Sequence, residues 1–292
     1  MNFPAPSPHR VTSNGREIPD TPRYLLAAPD STELLGDHSA LRERYQRDGF
    51  VILRNVFDGR EVRQLRGEYF SAFPAGYVAA GSDPADGRFS GRRPLDLPPH
   101  GVAGHPAHAF VRSERFARFV ASEALAQLAA VLLESPVTML PRLIMRHFDS
   151  SVPLASRAHA DFSYLDQGSE RVITAWIPLG DTPRAMGGLV YQAGSHIGDP
   201  ARLDVLRAVH DRPSDSRPLS HDLAWVAEQM GSPWSWTDYR AGDVAMHSPR
   251  VVHASLDTAT EEMRASIDVR FLAVGERTDP RWLRPWSGDD GN

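Results

Sequence analysis

From residue 136 onward the chain is a succession of short apolar segments closed by glycine, proline or aspartate: VTMLPRLIMRHF, RVITAWIPL, GGLVYQAGS, GDVAMHS, RVVHASL and MRASIDVRFLAVG. Runs this short, rich in β-branched residues and bounded by turn formers, are strands rather than helices. Six of them, with one helical insertion expected near residues 201 to 230, must bury their apolar faces against one another, which predicts an all-β core of the sandwich or barrel type. The earlier chain has a different period. Ser39 to Arg47 and GREVRQLRGEYFSAF read as amphipathic helices flanking a buried strand in DGFVILRNVF, and SERFARFVASEALAQLAAVL reads as a further helix. These helices support the β core. Residues 75 to 108, dense in Gly, Pro, Asp and Arg, have no period and predict a long irregular connection of the kind that serves as a lid. A loose arm over 1–22, one domain over 23–275 and a tail over 276–292 complete the expected organisation.

Composition removes several chemistries. There is no cysteine, which excludes disulfides, thiolate metal sites and cysteine nucleophiles. All 32 basic residues are arginine, so no lysine is present for a Schiff base or a phosphate-binding Walker loop. The formal charge is −5 and the arginines are scattered, which argues against nucleic acid and anionic membrane as partners. No apolar run has the length of a membrane span, and the first residues lack a signal-peptide pattern. The expectation is a cytoplasmic protein, monomer or homodimer, acting on a small molecule.

Any metal must therefore be held by His, Asp or Glu, and SRAHADFSYL offers His159 and Asp161 at i, i+2. On an extended chain these two side chains point the same way. AGDVAMHSPRVVHASL supplies two candidates for a third ligand, His247 and His253. His253 is favoured because it lies inside an apolar strand, where a buried imidazole needs a partner, whereas His247 precedes Ser-Pro at a turn. Two histidines and one carboxylate form the facial triad that leaves adjacent positions open on Fe(II). Eleven residues after His253 comes Arg264. In the strand it opens, Arg264, Ser266 and Asp268 share one face and Ala265, Ile267, Val269 and Phe271 the other. A short DTATEE connection places the His253 and Arg264 strands as antiparallel neighbours, and an arginine inside a barrel is suited to a bidentate grip on a carboxylate.

The order H-x-D, TAW, GGLVYQAGSH, GDVAMHSPRVVHAS and R-x-S, together with RDGFVILRNVFDGREV upstream, resembles the phytanoyl-CoA dioxygenase family of iron(II)/2-oxoglutarate oxygenases over about residues 40 to 272. The resemblance implies a double-stranded β-helix, a cupin-like jelly roll. It also implies that His159, Asp161 and His253 ligate Fe(II), that Arg264 binds the distal carboxylate of 2-oxoglutarate with help from Ser266, and that Trp176 lies beside the cosubstrate. Gly187, Gly188 and Gly194 fall in the family's glycine-rich turn, where Ala193 stands in place of a proline. The implied activity consumes O2 and 2-oxoglutarate, releases succinate and CO2, and hydroxylates a secondary metabolite; desaturation, epimerisation and ring rearrangement use the same oxidant. A non-catalytic jelly-roll binding protein and a metal-dependent hydrolase remain as rival readings. Phe162, Tyr164, Arg142, Arg146, Arg157 and Arg250 are candidate pocket residues by their closeness in sequence.

Overall fold

The computed structural model describes residues 10–151, 154–165, 167–198, 203–204, 206–207, 215 and 217–287. The chain opens with a hairpin of β1 (Val11–Ser13) and β2 (Arg16–Ile18), then β3 (Leu25–Ala27), helix α1 (His38–Asp48), β4 (Phe50–Leu53) and helix α2 (Gly59–Ser71). Helices α3 (Pro106–Phe110), α4 (Glu114–Val120) and α5 (Glu123–Leu133) lead into β5 (Val137–Met139), β6 (Ile144–Phe148), β7 (Val172–Pro178) and β8 (Leu189–Tyr191). Helix α6 (Leu223–Met230) precedes β9 (Trp234–Trp236), β10 (Val244–His247), β11 (His253–Ser255) and β12 (Arg264–Ala273).

Apart from the β1–β2 hairpin, the strands form two facing sheets. The larger runs β4-β10-β7-β12, with β5 and β6 sharing the far flank of β12, and the smaller runs β11-β8-β9-β3. The alternation expected for β12 is the feature that organises the interior. Ala265, Ile267, Val269 and Phe271 pack with Val51, Leu65, Tyr69, Phe70 and Ile173 into a core between the large sheet and the helices. The opposite face of the same strand points between the sheets, where Trp176, Tyr191, Tyr239 and Phe50 form a smaller apolar cluster. Arg264 is therefore not at a solvated edge but 1% exposed.

Several expectations change. The single helix expected across 113–132 breaks at Ala121, because Ser122 accepts a hydrogen bond from the Leu125 amide and starts α5 afresh. VTMLPRLIMRHF yields two strands rather than one, because Pro141 has no N–H for the ladder. The expected loose arm contains the β1–β2 hairpin, turned at Asn14 and Gly15, both with positive φ. Both turn amides donate to the Asp257 carboxylate at 2.8 Å, and Ser13 donates to the Ser255 carbonyl, so long-range hydrogen bonds order a segment with little apolar pattern. The expected tail likewise contains a 3-10 turn at Pro280–Leu283 and two buried tryptophans, Trp282 and Trp286. Strands β3 and β9, parallel to each other, complete the small sheet without a sequence signal strong enough to call. Within the insertion expected near 201–230, α6 is the helix whose whole extent is described; most of 199–216 lies outside the described residues. Finally, β11 and β12 belong to different sheets, so the DTATEE connection crosses the fold instead of joining neighbours. No single helix among the described residues is long and apolar enough to cross a membrane.

Candidate active site

His159 and His253 face each other across an antiparallel bridge in which each backbone amide donates to the other's carbonyl, at 3.0 and 2.9 Å. Such a pair carries its side chains on one face, and the two imidazole centroids are 4.3 Å apart. Extended backbone at Ala160 carries the direction of His159 to Asp161, where a 3-10 turn, Asp161–Tyr164, begins. The i, i+2 rule thus holds although the strand ends between its two members. One donor atom from each of His159, Asp161 and His253 lies within 4.8 Å of the others.

The protonation of these groups follows from their partners. His159 Nδ1 is 2.6 Å from the Arg157 carbonyl and His253 Nδ1 is 3.1 Å from the Val251 carbonyl. A carbonyl only accepts, so each Nδ1 carries the hydrogen and each Nε2 keeps its lone pair. Both Nε2 atoms face Asp161 Oδ1, at 3.8 Å. Burial lowers the pKa of His253 well below the ordinary histidine range, reinforced by His159 and His247 beside it, and burial also lowers that of His159. Burial alone would raise the Asp161 carboxyl. The Arg270 guanidinium and the neighbouring histidines outweigh it and hold the group well below the usual carboxylate range. Two neutral imidazoles and one carboxylate, with donor atoms converging in a buried space, suit a divalent transition metal.

Of the two rival third ligands, His253 joins the cluster and His247 does not. Nor is His247 a partly exposed turn residue. It ends β10, is 1% exposed, and stands 3.6 Å from Asp161 Oδ2 with its Nδ1 3.2 Å from the Tyr191 hydroxyl. Thr174 Oγ1 and Arg270 donate to Oδ2, at 2.7 and 3.0 Å. Neither residue is among the sequence candidates. Arg270 could have been found, since it is in phase with Arg264 on the inward face of β12; Thr174 gives no comparable sign.

Arg264 is wholly buried with its guanidinium 4.1 Å over the Phe148 ring, opposite it in register. One of its terminal amines donates to the Gly187 carbonyl. Gly187 has φ +86°, and a Cβ there would come within 2.4 Å of the Leu256 carbonyl oxygen, so only glycine permits this approach. Among the described residues the remaining Arg264 donors, Nε and NH2, have no protein partner; nor do Ser266 Oγ and Trp176 Nε1. Burial pushes the Arg264 pKa down to about 9, aided by Arg146 nearby. Buried donors left open in this way call for an acceptor, and a carboxylate is the one that suits a guanidinium edge.

A cavity of about 770 Å³ reaches from the solvent to both groups, lined by His159, His253, Trp176 and Arg264 among others. Ser266, in phase with Arg264 on β12, is not among the residues that line it. Of the other sequence candidates, Tyr164, Arg142, Arg146 and Arg157 line the cavity. Phe162 and Arg250 do not; they stack on each other at 4.2 Å, where Arg250 also pairs with Glu170.

Among characterised proteins, the 1-deoxypentalenic acid 11-beta-hydroxylase of Streptomyces exfoliatus is 24% identical over 270 residues, 88% of this chain and 89% of the relative. Among solved structures, the epimerase SnoN in complex with Fe3+, alpha ketoglutarate and nogalamycin RO matches with a TM-score of 0.58 at 22% identity, over 84% of this chain and 87% of that one. The non-heme alpha ketoglutarate dependent carbocyclase SnoK from nogalamycin biosynthesis matches with a TM-score of 0.59 at 20% identity, over 87% and 90% of the two chains. At these identities the structural likeness establishes the jelly-roll fold. The sequence profile of the phytanoyl-CoA dioxygenase family matches residues 45–266, and the chain belongs to that family.

Proposed function

We propose that this chain is an iron(II)- and 2-oxoglutarate-dependent dioxygenase that hydroxylates a small secondary metabolite. In this reading it is a cytoplasmic monomer or homodimer with one catalytic domain over 23–275. His159, Asp161 and His253 hold the iron, and Arg264, with Ser266 and Trp176 beside it, binds the cosubstrate. The observation that carries this reading is the convergence of two unprotonated Nε2 atoms on one oxygen of a buried carboxylate, in the cavity that also holds an arginine with open donors. When bound, iron and 2-oxoglutarate supply the activation of O2, with succinate and CO2 as co-products.

The chain's own residues perform the rest. The carbonyls behind His159 and His253 fix their tautomers, so no proton has to leave before a metal binds. Arg264 neutralises a carboxylate away from water, where a bidentate charge-assisted contact is strong. The buried walls around Trp176 and Leu189 exclude solvent from that end of the cavity. Hydroxylation is favoured over epimerisation or ring closure because the relatives at 24% identity are hydroxylases.

The test is oxygen consumption measured together with succinate release, on a panel of small carboxylated and polycyclic substrates. Wild type should couple the two, and a panel member should stimulate both. His253→Ala should do neither. Arg264→Lys should keep its iron but need about tenfold more 2-oxoglutarate, since lysine offers a point charge in place of a fork. Oxygen uptake without succinate, or metal-dependent hydrolysis without oxygen uptake, would overturn the reading.

A further inference from the structure

We propose that Arg270 and Trp282 are positioning residues of the metal centre: Arg270 turns a single Asp161 oxygen toward the histidines, and Trp282 holds both Arg270 and the turn that carries Asp161. The inference rests on the triad being the metal site. It concerns residues beyond 266, where the family match ends.

The two oxygens of Asp161 live in different surroundings. Oδ2 accepts from Thr174 at 2.7 Å and from Arg270 NH2 at 3.0 Å, while Oδ1, among the described residues, has the two histidine Nε2 atoms before it at 3.8 Å. A carboxylate anchored through one oxygen presents the other as a single ligand atom. Released, it can rotate or offer both oxygens, and either change alters how many metal positions remain open. Arg270 is 3% exposed, and among the described residues its Nε and NH1 have no hydrogen-bond partner. Its placement therefore depends on the Asp161 contact and on the Trp282 ring, 4.2 Å from its guanidinium carbon.

Trp282 acts from a second direction. Its indole N–H reaches the Tyr164 carbonyl at 3.4 Å, and the neighbouring Arg281 donates to the same oxygen at 3.1 Å. Tyr164 is the last residue of the turn that Asp161 begins. The 3-10 turn at Pro280–Leu283 thus grips the far end of the ligand-bearing turn while its tryptophan backs the arginine that holds the ligand itself. A segment far from the triad in sequence closes the metal site by contact.

Co(II), stable toward air oxidation in such sites, serves as the probe, titrated into the full-length apoprotein and followed by its visible ligand-field absorption and by chelator competition. Arg270→Met should bind Co(II) about 10- to 100-fold more weakly than wild type, with a changed absorption envelope, the range typical for loss of a group that orients a metal ligand. Arg270→Lys should recover part of the affinity. Trp282→Ala should weaken binding about tenfold and Trp282→Phe less, and this pair carries the test if Arg270→Met does not fold. Arg284→Ala, altering another cavity arginine, should leave affinity and spectrum unchanged. Wild-type affinity and spectrum in folded Arg270→Met or in Trp282→Ala would overturn the proposal while leaving the triad reading intact. A wild-type protein that binds no Co(II), and from which His253→Ala is indistinguishable, would overturn the triad reading and this proposal with it.

Discussion

Two groups of buried histidines lie on opposite faces of the large sheet, and their hydrogen bonds separate them. On the helix side, His147 has both ring nitrogens occupied, Nδ1 by the Tyr69 hydroxyl at 2.7 Å and Nε2 by the Tyr77 hydroxyl at 2.8 Å. The Tyr77 hydroxyl donates its own hydrogen bond to Asp149, which Arg93 neutralises. His105 stacks against His147, and His100 Nε2 donates to the Met145 carbonyl. Between the sheets, His159 and His253 each spend one nitrogen on a carbonyl two residues back and leave the other facing Asp161. Burial is alike in the two groups. What sets His147 apart from His159 and His253 is that its second nitrogen is spoken for, and a histidine with both nitrogens satisfied is a structural member while one with a lone pair aimed at a carboxylate is a ligand in waiting.

The largest effect expected from this contrast is a separation of activity from stability. His253→Ala should abolish Co(II) binding and succinate formation, yet leave the urea midpoint near that of the wild-type apoprotein, because the triad contributes little to the fold without metal. His147→Ala should do the reverse: Co(II) affinity close to wild type, but a stability loss of about 3–5 kcal/mol from the cavity and from the buried Tyr69 hydroxyl left without its partner, Tyr77 keeping Asp149. Loss of the metal in the second variant and not in the first would break the comparison.

Acidification should come next in size. Burial lowers the His100 pKa to about 4 and that of His147 well below the ordinary value of 6.5. The native state therefore refuses protons that the unfolded chain accepts. Stability from these groups is complete above pH 6.5 and declines as the pH falls below it, at about 1.4 kcal/mol per pH unit for each such imidazole. Urea midpoints of the apoprotein measured from pH 7.5 to pH 5 should fall accordingly, and His147→Phe should show a shallower slope. A flat profile would mean that these imidazoles charge in place.

The smallest effect expected is for His247→Ala, which sharpens the boundary between the groups. His247 packs its ring 4.5 Å from that of His253 and stands 3.6 Å from Asp161 Oδ2, the oxygen turned away from the cluster of three, so Co(II) affinity should change only a few-fold. A complete loss of metal would move His247 into the ligand set.

The part of this molecule legible in the sequence is the part carried by period and by short-range spacing. The alternation in MRASIDVRFLAVG identified which β12 residues face inward, and the i, i+2 spacing paired His159 with Asp161. His253 was separable from His247 by its apolar setting, although the reason given for His247, a turn position, was not the one that applies. What escaped was set by contacts between distant segments. Nothing local in Arg16 to Ile18 shows that the Asn14 and Gly15 amides will find Asp257. Nothing local in DPRWLRPW shows that Trp282 will meet Arg270. The placement of β11 and β12 in separate sheets was missed for the same reason: a short connection between two strands reads as a hairpin unless the far partners of each strand are known.

Strand β12 carries the helix-side core on one set of alternate residues and the polar interior on the other, over ten residues without a break. It is in effect a message read in two phases, and the two readings cannot be shifted independently. A point substitution edits one letter of one reading. A single inserted or deleted residue within the strand exchanges them, sending the arginines toward the helices and the apolar side chains into the cavity. Length changes in this family member should therefore be tolerated in the connection before Arg264 and rejected between Arg264 and Arg270, whatever the inserted residue is.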